Sequence, residues 1–145
     1  MDKRNLTERD ICTKFITPAL RKAGWDEMLQ IREEMSFKGP IIVRGKLVSR
    51  GRAKRADYIL YFKPNIPLAL IEAKDNSHSV GDGMQQGLDY ATTLGIPFVF
   101  SSNGDGFLFH DRAGLGAATE TTLALDAFPS PANLWARYAK CSDRA

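Results

Sequence analysis

Apolar and polar positions change spacing along the chain, which predicts a helix, a meander of strands, a second helix, further strands and a last helix. Thr7 can cap the first helix, with Asp10 at the reciprocal capping-box position. That helix is expected to reach about Ala23 and to end at Gly24. Pro18 lies inside it and is expected to kink it.

Strand-like segments follow the first helix, and each is bounded by turn-forming residues. Ser79 can cap a second helix reaching about Leu94, with Gly95 as its stop. Ser130 and Pro131 open the last helix. The predicted strands cover 29–33, 41–48, 56–62, 67–74, 96–100, 107–109 and 121–125, with turns at 49–51 and 103–104.

Three charged residues, Asp57, Glu72 and Lys74, interrupt two of the most apolar strands. Charges rarely occur in buried strands unless they are paired or bind a metal. A turn centred between positions 64 and 65 pairs 57 with 72, 59 with 70 and 61 with 68. Asp57 and Glu72 would then be opposed on one face, and alternation puts Lys74 on that same face. A slip of one residue would move Asp57 to the other face.

This arrangement of two acids and a base suits phosphodiester hydrolysis. Carboxylates on adjacent strands form a hard-oxygen site for Mg²⁺ or Mn²⁺, and a divalent cation removes their mutual repulsion. The ammonium of Lys74 could position the attacking water and stabilise charge that develops on phosphorus. The alternative is a salt-bridge cluster on an exposed sheet face, and the apolar residues beside Glu72 argue against exposure.

Composition fits a single globular domain over residues 1–145, with 43% hydrophobic and 26% charged residues. No apolar run approaches a membrane span and the start has no signal-peptide core, so a cytoplasmic setting is expected. The net charge is only +3, but one acid-free segment concentrates basic residues. It is either a solvated hairpin tip or a phosphate-binding edge. Its residues are Arg44, Lys46, Arg50, Arg52, Lys54 and Arg55.

With these motifs in family order, the sequence resembles the PD-(D/E)xK nucleases, and specifically the N-terminal domain of type I restriction enzyme R (HsdR) subunits. The resemblance covers nearly the whole chain. It is carried by Asp57, by Glu72-Ala73-Lys74 and by several flanking stretches. Those stretches are 7–8, 18–20, 24–25, 55–61, 85–91, 101–104, 128–131 and 134–135. The resemblance implies a restriction-endonuclease-like α/β fold, a central mixed sheet flanked by helices with an α-β-β-β-α-β core.

The resemblance also implies roles for individual residues. Asp57 and Glu72 would ligate Mg²⁺ with the Ala73 carbonyl, and Lys74 would be the catalytic lysine. Glu8 would complete the site, whereas periodicity alone favours a first-turn glutamate that interacts with the helix dipole. A further motif, QxxxY, would contact DNA or order the site, and it corresponds to Gln86 and Tyr90. Ala56 replaces the proline of the superfamily motif, which leaves the metal-binding side chains intact.

The resemblance further implies a Mg²⁺-dependent endonuclease that contacts double-stranded DNA without reading its sequence. Separate specificity and methylation subunits would be its partners. The chain has no Walker A loop, so ATP would be used only by a motor elsewhere in a longer subunit, and the chain is expected to be an excised or truncated domain. Two alternatives stay open: a stand-alone repair or recombination nuclease, and a catalytically silent DNA-binding module of the same fold.

Overall fold

The computed structural model describes residues 2–38, 41–43, 54–113 and 119–142. Within these residues, seven strands form one mixed sheet with helices on both faces. The strands are β1 (Ile31–Lys38), β2 (Ile41–Val43), β3 (Lys54–Lys63), β4 (Ile66–Ala73), β5 (Phe98–Ser102), β6 (Gly106–Asp111) and β7 (Glu120–Ala124). The helices are α1 (Glu8–Ile11), a π-helical segment (Cys12–Ile16), α2 (Thr17–Lys22), α3 (Met84–Leu94) and α4 (Pro131–Ser142), with 3₁₀ turns at Lys3–Asn5 and Leu125–Ala127.

The sheet order is β2-β1-β3-β4-β5-β6-β7. Neighbouring strands are antiparallel except for β4 and β5, which are parallel and are connected through α3. A parallel pair requires such a crossover, whereas antiparallel pairs need only turns. The predicted mixed sheet and its α-β-β-β-α-β core, formed around β1, β3, β4, α3 and β5, are therefore confirmed. β2 is added at one edge of the sheet, and β6 and β7 are added at the other.

Two apolar layers cover the two faces of the sheet. One buries Ile11, Ile16 and Leu20 of the first helical region with Phe100 and Leu134. The other layer lies under α3 and buries its own set of side chains, namely Phe37, Ile59, Leu70, Met84, Ala91 and Val99. Among the helices of the described residues, none combines the length and apolar character that a membrane span requires.

The first helical region begins with the predicted capping box, in which Thr7 and Asp10 bond each other's main chain. The expected effect of Pro18 takes the form of a π-helical segment immediately before it, where the N–H of Thr17 donates to the Cys12 carbonyl. Proline lacks an N–H and crowds the preceding turn, and a wider turn relieves that crowding. The helix then continues to Lys22 and ends before Gly24, whose φ is +104°.

The second helix begins later than the sequence predicts. Ser79 does not cap α3; its hydroxyl and its N–H both donate to the Asp82 carboxylate, which closes a separate turn. The helix starts at Met84, with Gly83 as its N-cap. Gly95 ends it in the left-handed conformation at φ +72°, as predicted.

The early strands also differ from prediction in their limits. β1 covers 31–38 rather than 29–33. Of the strand predicted over 41–48, only 41–43 lies within the described residues, and the predicted turn at 49–51 lies outside them. In the β3–β4 hairpin, the predicted pair of Ile59 with Leu70 is confirmed, but Tyr61 pairs with Pro67 rather than with Leu68. Pro67 has no N–H to donate to the ladder, and the pairing is irregular at this point.

Candidate active site

The candidate site begins where regular β3–β4 pairing ends. The last regular pair is Tyr58 with Ile71, so Asp57 and Glu72 occupy the next positions of the same register. The N–H of Asp57 donates to Glu72 Oε2 at 3.1 Å, and the N–H of Ala73 donates to Asp57 Oδ2 at 2.8 Å. Each carboxylate thus bonds the main chain of the opposite strand. The predicted adjacency of the two acids is confirmed.

Glu72 is enclosed to a degree that is unusual for a carboxyl group. Its side chain is buried, with 3% of the residue exposed, and its Oε1 has no hydrogen-bond partner among the described residues. Burial raises the pKa of Glu72 to about 10, and the neighbouring Asp57 carboxyl adds to the rise. Without a cation, Glu72 therefore holds a proton at neutral pH.

Glu8 and Lys74 lie within electrostatic range of this pair. Glu8 is the first residue of α1 and lines a small cavity of about 80 Å³ together with Asp57 and Arg55. Partial burial and the negative charge of Asp57 raise the pKa of Glu8, while the ammonium of Lys74 acts in the opposite direction. Lys74 directly follows β4, and its N–H donates to the Ser102 carbonyl at 2.9 Å. The structure thus brings all four predicted catalytic residues to one end of the sheet.

The residues present fit a divalent metal ion in chemistry. Asp57 and Glu72 offer hard carboxylate oxygens, and the unpartnered Oε1 of Glu72 is a buried acceptor that a cation would satisfy. In the part of the chain that the structure describes, no three His, Cys, Asp or Glu side chains group closely enough to hold a metal by themselves. A metal site formed by two carboxylates, with a main-chain oxygen and water as the other ligands, is consistent with that finding. The role of Glu8 as a direct ligand stays a prediction.

Gln86 and Tyr90 are adjacent on α3, as their spacing predicts. The side-chain amide of Gln86 donates to the Tyr90 hydroxyl. The Tyr90 ring packs edge-on against Phe37, with a centroid distance of 5.0 Å, and the Lys54 ammonium lies 5.8 Å from its centre. Packing against Phe37 therefore holds the Tyr90 side chain in place, and the Lys54 ammonium lies next to its ring. Contact with DNA stays a prediction.

The predicted basic edge is described only in part. Four of its six residues lie outside the described residues, namely Arg44, Lys46, Arg50 and Arg52. Lys54 and Arg55 are exposed at the start of β3, and Arg55 lines the cavity shared by Glu8 and Asp57. The described end of the basic segment therefore adjoins the carboxylates.

Three residues near the site have no role predicted from the sequence, namely Arg9, Glu34 and Ser101. Arg9 and Glu34 line the same cavity as Glu8, and Glu34 has a positive φ of 53° within β1. Ser101 is fully buried and pairs with Glu72 between β4 and β5. No local signal marks these residues, because each reaches the site only through contact between distant segments: Arg9 from α1, Glu34 from β1 and Ser101 from β5. Ser101 lies in a stretch that carries the family resemblance, which was the one available indication.

The sheet order, the crossover helix and the paired acids define a restriction-endonuclease-like α/β domain. Residues 41–114, about half of the chain, match the model of the family described as the type I restriction enzyme R protein N terminus. The chain belongs to this family.

Two relatives agree with the family assignment. The chain is 54% identical over 136 residues to the type I restriction enzyme EcoAI endonuclease subunit of Escherichia coli, covering 92% of this chain and 17% of that subunit. It also matches the solved structure of a fragment assigned to an HsdR subunit of a type I restriction enzyme from Vibrio vulnificus YJ016. That match has a TM-score of 0.79 at 37% identity and covers 95% of this chain and 26% of the other. The chain thus spans about a sixth of the curated relative's length.

Proposed function

We propose that this chain is a Mg²⁺-dependent endonuclease domain that hydrolyses DNA phosphodiester bonds in a type I restriction system. One observation carries the proposal. A buried glutamate with an unpartnered oxygen lies against a second acid at the end of two strands, in a chain of the R-protein family. A purely structural role would leave this burial of an ionisable group uncompensated.

Asp57, Glu72 and the Ala73 carbonyl would hold the cation. The N–H of Ala73 points to Asp57, and a strand residue directs its N–H and C=O to the same neighbour, which favours the carbonyl as a ligand. When bound, Mg²⁺ supplies Lewis-acid polarisation of the phosphate and offsets the negative charge of the two acids. Glu8 adds a negative charge at the edge of this group.

Lys74 would act on the water and on the phosphate. Its ammonium can orient the attacking water by hydrogen bonding and can stabilise the charge that develops as water adds to phosphorus. The attacking water gives up a proton to solvent, the bond from phosphorus to the leaving sugar oxygen breaks, and that oxygen takes up a proton from solvent. Lys74 is half-buried beside Glu8, so it is held at the site and still open to a substrate.

DNA would approach along the side that carries Lys54 and Arg55. Both cations are exposed on β3 just before Asp57, and cations that contact phosphates fix the position of DNA without reading its sequence. We therefore propose backbone contact that is independent of sequence, with Gln86 and Tyr90 nearby on α3. Recognition of the target site would belong to a separate specificity subunit, and ATP would be used by a motor outside this domain.

The experiment that tests the proposal replaces Lys74 with Ala in the complete R subunit assembled with its partner subunits. We expect DNA cleavage to fall by at least about a hundredfold, since a preorganised charge at the reacting phosphate is typically worth that much. ATP hydrolysis should continue at the wild-type rate. Lys63→Ala, at an exposed lysine at the far end of β3, is the matched control and should cleave normally. Cleavage retained by Lys74→Ala would refute the assignment.

A further inference from the structure

Helix α3 approaches Glu72 unusually closely because glycines face the sheet at two positions. A Cβ atom at Gly83 would lie 3.2 Å from Glu72 Cβ and 3.3 Å from the Glu72 carbonyl oxygen. A Cβ at Gly87 would lie 2.8 Å from Val99 Cγ1 and 3.5 Å from Glu72 Cγ. Any larger residue would therefore push the helix away from β4 and β5 or displace the strand side chains.

Ser101 fixes the start of the same helix. It is fully buried and lies beside Glu72 in the parallel pairing of β4 with β5. Its Oγ accepts a hydrogen bond from the N–H of Gly83 at 3.0 Å. That N–H belongs to the helix N-terminus, where main-chain donors lack partners within the helix. The serine thus ties the first turn of α3 to the strand next to Glu72.

We propose that Gly83, Gly87 and Ser101 are positioning residues for Glu72. Together they hold α3 against β4, and this contact covers the Glu72 side chain and fixes where its carboxyl group points. The same helix carries Gln86 and Tyr90, so the contact of α3 with β4 also sets the distance between that pair and Glu72. The consequence of this helix position for metal binding rests on the proposed function, but its effect on the Glu72 side chain does not.

The test increases the distance between α3 and the sheet with one substitution and restores it with a second. Gly87→Ala introduces the clash with Val99, and Gly87→Ala combined with Val99→Ala relieves it. The first readout is the ¹³C NMR signal of the Glu72 carboxyl group in the metal-free 145-residue chain. We expect the signal to shift in the single variant and to return to its wild-type position in the double variant.

The second readout is Mg²⁺ binding by titration calorimetry on the same chains. Residues that orient a metal ligand typically change metal affinity by 10- to 100-fold when they are altered. We expect affinity about tenfold weaker in Gly87→Ala and restored to within about threefold in the double variant. In the complete enzyme, the half-saturating Mg²⁺ concentration should rise by the same factor, with kcat at saturating Mg²⁺ retained. Ser101→Ala should act in the same direction.

The chain offers a matched control in Gly81→Ala. A Cβ at Gly81 would lie 2.9 Å from Leu108 Cδ2, a clash of similar size that does not involve Glu72. This variant should leave the carboxyl signal and the Mg²⁺ affinity unchanged. An unchanged Glu72 signal in folded Gly87→Ala would overturn the proposal. A wild-type chain that binds no Mg²⁺ would instead overturn the proposed function, while the NMR comparison would still decide the role of the glycines.

Discussion

Replacing Glu72 with Gln is expected to stabilise the metal-free chain, and the increase in its free energy of unfolding should become larger as the pH rises. Burial and the Asp57 carboxyl raise the pKa of Glu72 from 4.5 to about 10. The folded chain therefore binds this proton more tightly than the unfolded chain, so stability falls as pH rises from 4.5 towards 10. Glutamine matches the size of the protonated side chain, can accept the Asp57 N–H and does not ionise.

The size of the effect follows from the interval between pH and the unfolded pKa. At pH 7 the folded chain keeps the proton while the unfolded chain has lost it. That interval is about 2.5 pH units at about 1.4 kcal/mol each, so ionisation of Glu72 in the unfolded state lowers the stability of the wild-type chain by about 3.5 kcal/mol. The Glu72→Gln variant does not bear this cost. The difference in unfolding free energy should increase by about 1.4 kcal/mol per pH unit above pH 5.

Urea denaturation in a chelator, repeated from pH 5 to pH 9, measures this difference. Glu27→Gln, at an exposed glutamate, serves as the control for the loss of one carboxylate. Added Mg²⁺ should stabilise the wild-type chain at pH 8 and leave Glu72→Gln nearly unaffected, because the cation needs the ionised ligand. Parallel stability curves for the wild-type and Glu72→Gln chains across this range would show that the pKa of Glu72 is not raised in the folded chain.

Three further predictions concern backbone strain, the buried polar core and DNA. Glu34→Gly should raise the unfolding free energy by about 1 kcal/mol in urea denaturation, since a glutamate at φ 53° is strained and glycine is not; Asn65→Gly, at φ 72°, should gain less because asparagine tolerates this region. Tyr58→Phe should cost about 1–2 kcal/mol in the same assay, because its buried hydroxyl bonds both a threonine hydroxyl at 2.7 Å and a main-chain carbonyl at 3.2 Å. Replacing Lys54 and Arg55 together with Ala should reduce the slope of log affinity against log salt by about 1.8 for duplex DNA, and an unchanged slope would remove them from the interface.

The hairpin that carries the two acids could be predicted because its information is local. Pro64 and Asn65 mark the turn, and Asn65 adopts the left-handed conformation that such a turn requires. Counting outward from this turn places Asp57 opposite Glu72, and the irregular pairing at Pro67 does not disturb that count further along the strands. The capping box at Thr7 is local in the same way.

Features that depend on distant segments could not be predicted. The burial of Glu72 depends on α3, and α3 can lie close to β4 only because glycines face the sheet. From the sequence alone, those glycines could equally weaken the helix or allow close contact. Ser101 becomes relevant only once β5 lies beside β4. Glu34, with its positive φ, lies between the Glu33–Tyr58 and Met35–Ala56 pairs of β1 with β3, and nothing in the local sequence signals that angle. The late start of α3 follows from a side-chain bond between Ser79 and Asp82 that competes with helix capping.

We propose that Asp57 and Glu72 jointly bind the divalent cation used to cleave DNA. Anomalous diffraction from crystals of the chain grown with Mn²⁺ tests it most directly, because Mn²⁺ takes the same hard-oxygen ligands as Mg²⁺ and can be located independently of the protein. We expect an anomalous peak within about 2.0–2.4 Å of a carboxylate oxygen of each acid, and we expect that peak to be lost in Asp57→Asn. A peak elsewhere, or none with both side chains ordered, would contradict it.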